Sequence, residues 1–167
     1  MRTRTRHRTE ARAQRHNTLH IVSANVRRSG PAHMSLLQHA FQAGAEVILI
    51  QEPCLHWSDT RQLTKFHQAY NTFSPTQSWQ ENPRVITYIQ KNKTEIQATP
   101  DPEWVPHPDI LSVLLSGIKP KPLRIINLYN VCASIETTRI IIQHFYQHEK
   151  IDQLFIMMRD FNLHYED

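Results

Sequence analysis

Six consecutive residues, Glu46-Val-Ile-Leu-Ile-Gln51, constrain the fold more than any other stretch of this sequence. The run is apolar and β-branched, and Pro53 stops it, so it reads as a buried strand. Around it, strand-like and helix-like patterns alternate. Leu19 to Ala24 reads as a short strand, and Ser35 to Ala43 as a helix ended by Gly44. Tyr70 to Phe73, Arg84 to Lys91, Ile110 to Leu115 and Leu123 to Tyr129 read as further strands, the second alternating around Val85, Thr87 and Ile89. Ile135 to Glu149 is the best helix, with Ser134 as its cap and Ile141, Ile142 and Phe145 on one side. Gln153 to Met158 is a last strand. This order predicts a mixed α/β sandwich over an all-helical or all-β fold.

Composition narrows the chemistry. The 167 residues suit one ordinary domain. The three glycines, Gly30, Gly44 and Gly117, are too scattered for a phosphate-binding loop or a dinucleotide fingerprint. Two lone cysteines, Cys54 and Cys132, make neither a disulfide scaffold nor a zinc cluster, and fit an intracellular protein with reduced thiols. No apolar run approaches the roughly 20 residues that span a bilayer, so a soluble protein is expected.

The net charge of +4 is uneven. Residues 1–16 hold six arginines against Glu10, leaving 13 Lys+Arg and 14 Asp+Glu for a nearly neutral remainder. Arg2 to Arg8 alternate with threonine or histidine and carry no apolar stripe, so residues 1–18 are expected to form a disordered tail. Such a tail fits nucleic-acid phosphates or a nuclear address, a leader without a role, or an organellar transit peptide, although the apolar face of the last is missing.

The informative polar residues close the apolar runs. They are Asn25, Gln51-Glu52, Asn127, Tyr129-Asn130 and Asp160-Phe161-Asn162. Each alone reads as a cap, a solvated loop residue or half-buried packing. As a set of oxygen donors they are what a hard divalent cation such as Mg²⁺ requires, since it takes few protein ligands and keeps several waters.

Ser23-Ala-Asn-Val26, Ile50-Gln-Glu-Pro53, Asn127-Leu-Tyr-Asn130 and Asp160-Phe-Asn162 resemble, in order, the motifs of the endonuclease/exonuclease/phosphatase superfamily. Tyr70 to Trp79, Pro83 to Tyr88 and Asp160 to His164 resemble more narrowly the endonuclease domain of LINE-type (non-LTR) retrotransposons, particularly fungal ones. The resemblance spans roughly Leu19 to Tyr165. It implies two packed mixed β-sheets flanked by helices, a four-layer α/β sandwich, over residues 19–167. It also implies Mg²⁺- or Mn²⁺-dependent cleavage of phosphodiester bonds in DNA, in a nuclear protein. Glu52 and Asn25 then sit at the metal, Asp160 orients or deprotonates the attacking water, and Asn162 holds the phosphate or that aspartate. Tyr129 donates to a phosphate oxygen or assists the nucleophile, while Arg84 and Asn130 are candidate substrate contacts.

Three departures qualify the match. Arg159 stands where the family has glycine and is expected to crowd or pair with Asp160. Tyr165 replaces a second histidine after His164. The chain stops at Asp167, before the family's closing serine-aspartate-histidine-like motif, so the resemblance implies a domain incomplete at its C-terminus and impaired in catalysis. The alternatives are a non-catalytic remnant that binds nucleic acid through its arginine tail, or another phosphatase of the same superfamily. Elsewhere, His144 and His148 are expected as solvated surface residues rather than zinc ligands, and both cysteines as buried small residues. Trp57, Trp79 and Trp104 are expected in loops, either packing or stacking on a base.

Overall fold

The computed structural model describes residues 18–58, 62–75, 82–91, 96–104, 107–117, 121–130, 135–147 and 154–160, without the side chain of Asp160. The arginine-rich segment through residue 17, Trp79, Cys132, His148, Asn162 and Tyr165 lie outside the described residues. Among the described residues, ten strands and two helices follow in the order β1 (Ile21–Asn25), α1 (Gly30–Gln42), β2 (Val47–Gln51), β3 (Leu55–Trp57), β4 (Gln62–Thr64), β5 (Tyr70–Phe73), β6 (Val85–Gln90), β7 (Gln97–Pro100), β8 (Ile110–Ser116), β9 (Leu123–Tyr129), α2 (Glu136–Gln147) and β10 (Leu154–Asp160).

Two four-stranded mixed sheets form, β1-β2-β6-β5 and β10-β9-β8-β7, with β3-β4 as a separate hairpin. Each large sheet contains one parallel pair joined through a helix, β1-α1-β2 and β9-α2-β10; the remaining pairs are antiparallel. The alternation of side chains along a strand then decides the layers. Val47 and Leu49 of β2, with Val85 and Ile89 of β6, pack against Leu111, Val113, Leu115, Leu123 and Ile125 of the other sheet. Ile48 and Ile50 point the opposite way, into a core with Leu37 and Ala40 of α1. On the far side, Ile126 and Leu128 meet Ile140, Ile141 and Phe145 of α2. The result is helix, sheet, sheet, helix, the expected four-layer sandwich. Every residue of β2 is buried, which accounts for its unbroken apolar run. Among the described residues no helix is long and apolar enough to cross a membrane.

Polar groups also join the two sheets. Gln51 Nε2 donates to Asn127 Oδ1 at 2.7 Å across the interface. Asn127 Nδ2 in turn faces the carbonyl oxygens of Ile86 at 3.0 Å and Ile50 at 3.3 Å. Both side chains are buried, so these bonds supply partners that water would otherwise provide. The polar ends of β2 and β9 are thereby fixed relative to each other.

Helix α1 begins at Gly30, five residues before the expected Ser35. Ser29 is its N-cap, its Oγ accepting from Ala32 N at 3.3 Å, and Pro31 occupies the first turn. Its first turn has no apolar periodicity, which hides this start from a pattern reading. Gly44, with φ of 73°, follows the helix as expected.

His33 anchors α1 from below. Cys54 N donates to its Nδ1 at 3.2 Å, so the proton sits on Nε2, which lies 3.0 Å from Tyr88 Oη. The Tyr88 hydroxyl in turn donates to Lys65 O at 2.7 Å. Burial, and after it the Lys65 ammonium, lowers the His33 pKa from 6.5 to about 4. A folded state that takes up this proton later than the unfolded chain keeps the full contribution above about pH 6.5 and loses it as pH falls toward 4. The expected loss is on the order of 3 kcal/mol across that window. Urea unfolding at pH 7.5, 5.5 and 4.5 checks it, and His33→Gln should flatten the dependence on pH.

Candidate active site

Parallel strands deliver their C-terminal ends to one rim, and antiparallel neighbours deliver their N-terminal ends to the same place. Asn25 lies opposite Gln51 in the β1–β2 register, and Val85 lies opposite Gln51 in β2–β6. In the second sheet, position 160 lies opposite Tyr129, and Ile110 lies opposite Leu128. The rim therefore gathers Asn25, Glu52, Arg84, Asp109, Tyr129 and the backbone of Asp160.

Glu52 links the sheets at this rim. The Tyr129 hydroxyl donates to Glu52 Oε1 at 2.5 Å, joining residues from different sheets. Glu52 holds a φ of 46°, a left-handed conformation that costs a non-glycine residue roughly 1 kcal/mol. Two backbone bonds enforce it: Glu52 N donates to Arg84 O at 2.9 Å, and Arg28 N donates to Glu52 O at 2.8 Å.

The β1–α1 turn is strained in the same way. Arg27 and Arg28 have φ of 49° and 57°. Asn25 Oδ1 accepts from Arg27 N at 2.7 Å and so closes this turn. The amide oxygen expected at a metal is thus engaged with backbone. Glu52 and Asn25 both offer hard oxygen, the donor type that suits Mg²⁺ or Mn²⁺. Among the described residues no three His, Cys, Asp or Glu side chains form a metal-binding group, so any ion here relies on amide oxygens, waters or substrate for the rest of its shell.

Arg84, a candidate substrate contact, has its charge already engaged. Its guanidinium makes a two-pronged ion pair with Asp109, which is buried, and lies 5.2 Å from the centre of the Tyr129 ring. Burial pushes the Asp109 carboxyl up from its ordinary value, opposed by the Arg84 guanidinium and then by His107. Arg84 thus steadies Tyr129, which steadies Glu52. Asn130 follows Tyr129 as a half-buried residue.

Asp109 escaped sequence reasoning because it opens a strand rather than closing one. The signal was present: Pro108-Asp109 stands immediately before an apolar run that antiparallel pairing carries back to the rim. Arg159 pairs in register with Leu128, which packs toward α2.

Other expectations are corrected too. His144 is buried rather than solvated, stacked on Trp104 with ring centroids 4.0 Å apart. Trp104 is itself buried, whereas Trp57 is 69% exposed. Cys54 is half-buried rather than buried.

No family model matches the sequence, and no curated protein matches it. Solved structures do. The endonuclease domain of TRAS1, a telomere-specific non-LTR retrotransposon, aligns with a TM-score of 0.67 at 16% identity, covering 89% of this chain and 61% of that one. The chain has the endonuclease/exonuclease/phosphatase fold. A protein of that family from Leptotrichia buccalis C-1013-b also aligns, with a TM-score of 0.55 at 14% identity over 87% of this chain and 67% of the other. The chain thus spans about three-fifths of the TRAS1 endonuclease domain.

Proposed function

We propose that this chain carries a divalent-metal-dependent phosphodiesterase site that hydrolyses DNA strands. The observation that carries the reading is the Tyr129–Glu52 hydrogen bond across the two sheets, at the rim where Asn25 and Asp160 also end their strands. A hydroxyl donating to Oε1 fixes the carboxylate and leaves Oε2 to face an ion. Glu52 and Asn25 would hold Mg²⁺ or Mn²⁺. Bound there, the ion would stabilise charge on the phosphoryl oxygens and the leaving group.

The protein groups have separate tasks. Asp160 accepts the proton of the attacking water, and Asn162 holds the phosphate or the aspartate. Tyr129 keeps Glu52 in place, and Asn130 contacts the strand being cut. Arg84 acts through Tyr129, because its guanidinium is already paired with Asp109. Addition of water across the bond leaves a 5′-phosphate and a 3′-hydroxyl.

Relaxation of supercoiled plasmid tests the reading. Nicked circles are expected with Mg²⁺ or Mn²⁺, none in excess chelator, and recovery when metal is restored. DNA ligase should seal the nicks, since it requires a 5′-phosphate beside a 3′-hydroxyl. Nicking that persists in chelator would refute the metal site. DNA binding without nicking, lost on removing residues 1–16, would favour a binding remnant, and release of phosphate from a monoester without nicking would favour a phosphatase.

A further inference from the structure

A cleft of about 250 Å³ opens directly beside Glu52, lined by Arg28, Pro53, Leu55, Trp57, Gln62 and Arg84 among others. Clefts that enclose a drug-sized ligand run to roughly 300–1,000 Å³, so this one suits a single planar group. Its outer wall is the β3–β4 hairpin, where Trp57 pairs with Gln62. The wall is braced rather than loose: Thr64 Oγ1 donates to Cys54 O at 3.0 Å, and Gln62 Nε2 donates to Asn82 Oδ1 at 2.5 Å.

Three features of the cleft are unexplained by the reaction. An indole is the largest apolar side chain, and leaving 69% of it in water forgoes stabilisation that burial would give. Arg28 is exposed and held in a left-handed backbone conformation that nothing in its own side chain requires. Gln62 is 3% exposed, and its Oε1 has no hydrogen-bond partner among the described residues. An aromatic face, a cation and a polar acceptor around a slot of this size match the base, the phosphate and the polar edge of one nucleotide.

We propose that this cleft is a nucleotide subsite flanking the scissile phosphate, in which Trp57 stacks on an unpaired base and Arg28 pairs with its phosphate. The inference rests on the phosphodiesterase reading and adds a preference. A base inside a duplex already stacks on both faces and cannot offer one to Trp57, so strands with unpaired bases at the cut bind best. Stacking on an aromatic contributes about 1–3 kcal/mol per base and tolerates any sequence.

The test is fluorescence anisotropy with a fluorescein-labelled single strand and its duplex, using the full chain in chelator so that nothing is cut. Trp57→Ala is expected to weaken single-strand binding about 5- to 150-fold, to affect the duplex much less, and to leave the salt dependence unchanged. Trp57→Phe should recover most of the loss. Arg28→Gln should reduce the slope of log K against log salt by about 0.7, the value for one phosphate on a single strand. The arginine-rich N-terminal segment contributes equally to every variant, so it does not affect these differences. Trp57 is exposed, so its substitution leaves the core untouched.

If the wild-type chain nicks plasmid and Trp57→Ala binds the single strand as tightly as wild type, the subsite is wrong and the phosphodiesterase reading stands. A wild-type chain that neither binds DNA nor nicks it overturns both.

Discussion

Arg124→Ala is expected to lower the free energy of unfolding by about 3–5 kcal/mol. Arg124 is the second residue of β9, with its side chain 1% exposed, on the face that α2 covers. Its Nε lies 2.6 Å from Asp101 Oδ2 and its Nη2 lies 2.6 Å from Glu103 Oε2. Ser112 Oγ donates to the same Asp101 oxygen at 2.8 Å, and Glu103 N donates to Asp101 Oδ1 at 3.1 Å. Removing the guanidinium strands the Asp101 carboxylate, whose side chain is fully buried, with neutral donors alone. Glu103 differs because its side chain is 47% exposed and can turn to water. Glu103→Gln should therefore cost less than about 1 kcal/mol. Urea unfolding of the two variants measures the contrast. An Arg124→Ala protein within 1 kcal/mol of wild type would mean that the buried pair adds little beyond its own desolvation.

Arg124 also marks the boundary of what could be read from the sequence. The run Leu123 to Tyr129 announces a strand whether or not one position is charged, because six of its seven residues are buried. Which face each residue takes, and which charge lies opposite Arg124, depends on the upstream loop that holds Asp101 and Glu103. The long apolar strands and α2 were legible for the same reason: their periodicity is a local property. Strands β3, β4 and β7 were not. At three or four residues, with sequences Leu-His-Trp, Gln-Leu-Thr and Gln-Ala-Thr-Pro, they carry too few apolar positions to show alternation, and pairing alone makes them strands.

The candidate site divides along the same line. Asn25, Glu52 and Tyr129 were visible because each closes an apolar run, and parallel strands bring such ends together. Asp109 was hidden because antiparallel strands reach the rim with their beginnings. His144 was misjudged because a polar residue on an amphipathic helix is ordinarily solvated, whereas here a Trp104 ring is available to cover it. Arg84 was seen as a cation but not as a paired one, since Asp109 lies 25 residues away in sequence.

Glu52→Gln is expected to reduce metal-dependent plasmid nicking by about 10²- to 10³-fold while leaving the fold intact. The amide has the size of the carboxylate, and its oxygen can still accept from Tyr129. What it lacks is the negative charge that, in the proposed site, would hold a hard cation where charge develops on the phosphate, and the loss of one such stabilising group typically has this magnitude. Tyr129→Phe removes only the donor that fixes Oε1. A hydrogen bond to a charged group contributes about 1.5–3 kcal/mol, which would correspond to a loss of roughly 10- to 100-fold. The two changes should not add. If Tyr129 acts only by steadying the carboxylate, the double variant is no slower than Glu52→Gln alone, because the charge it positions is already gone. Initial nicking rates for the four proteins at saturating Mg²⁺, with matched thermal unfolding, give the comparison. A Glu52→Gln rate equal to wild type would remove Glu52 from the metal site. A double variant slower by the product of the single losses would give Tyr129 a contact of its own with the substrate.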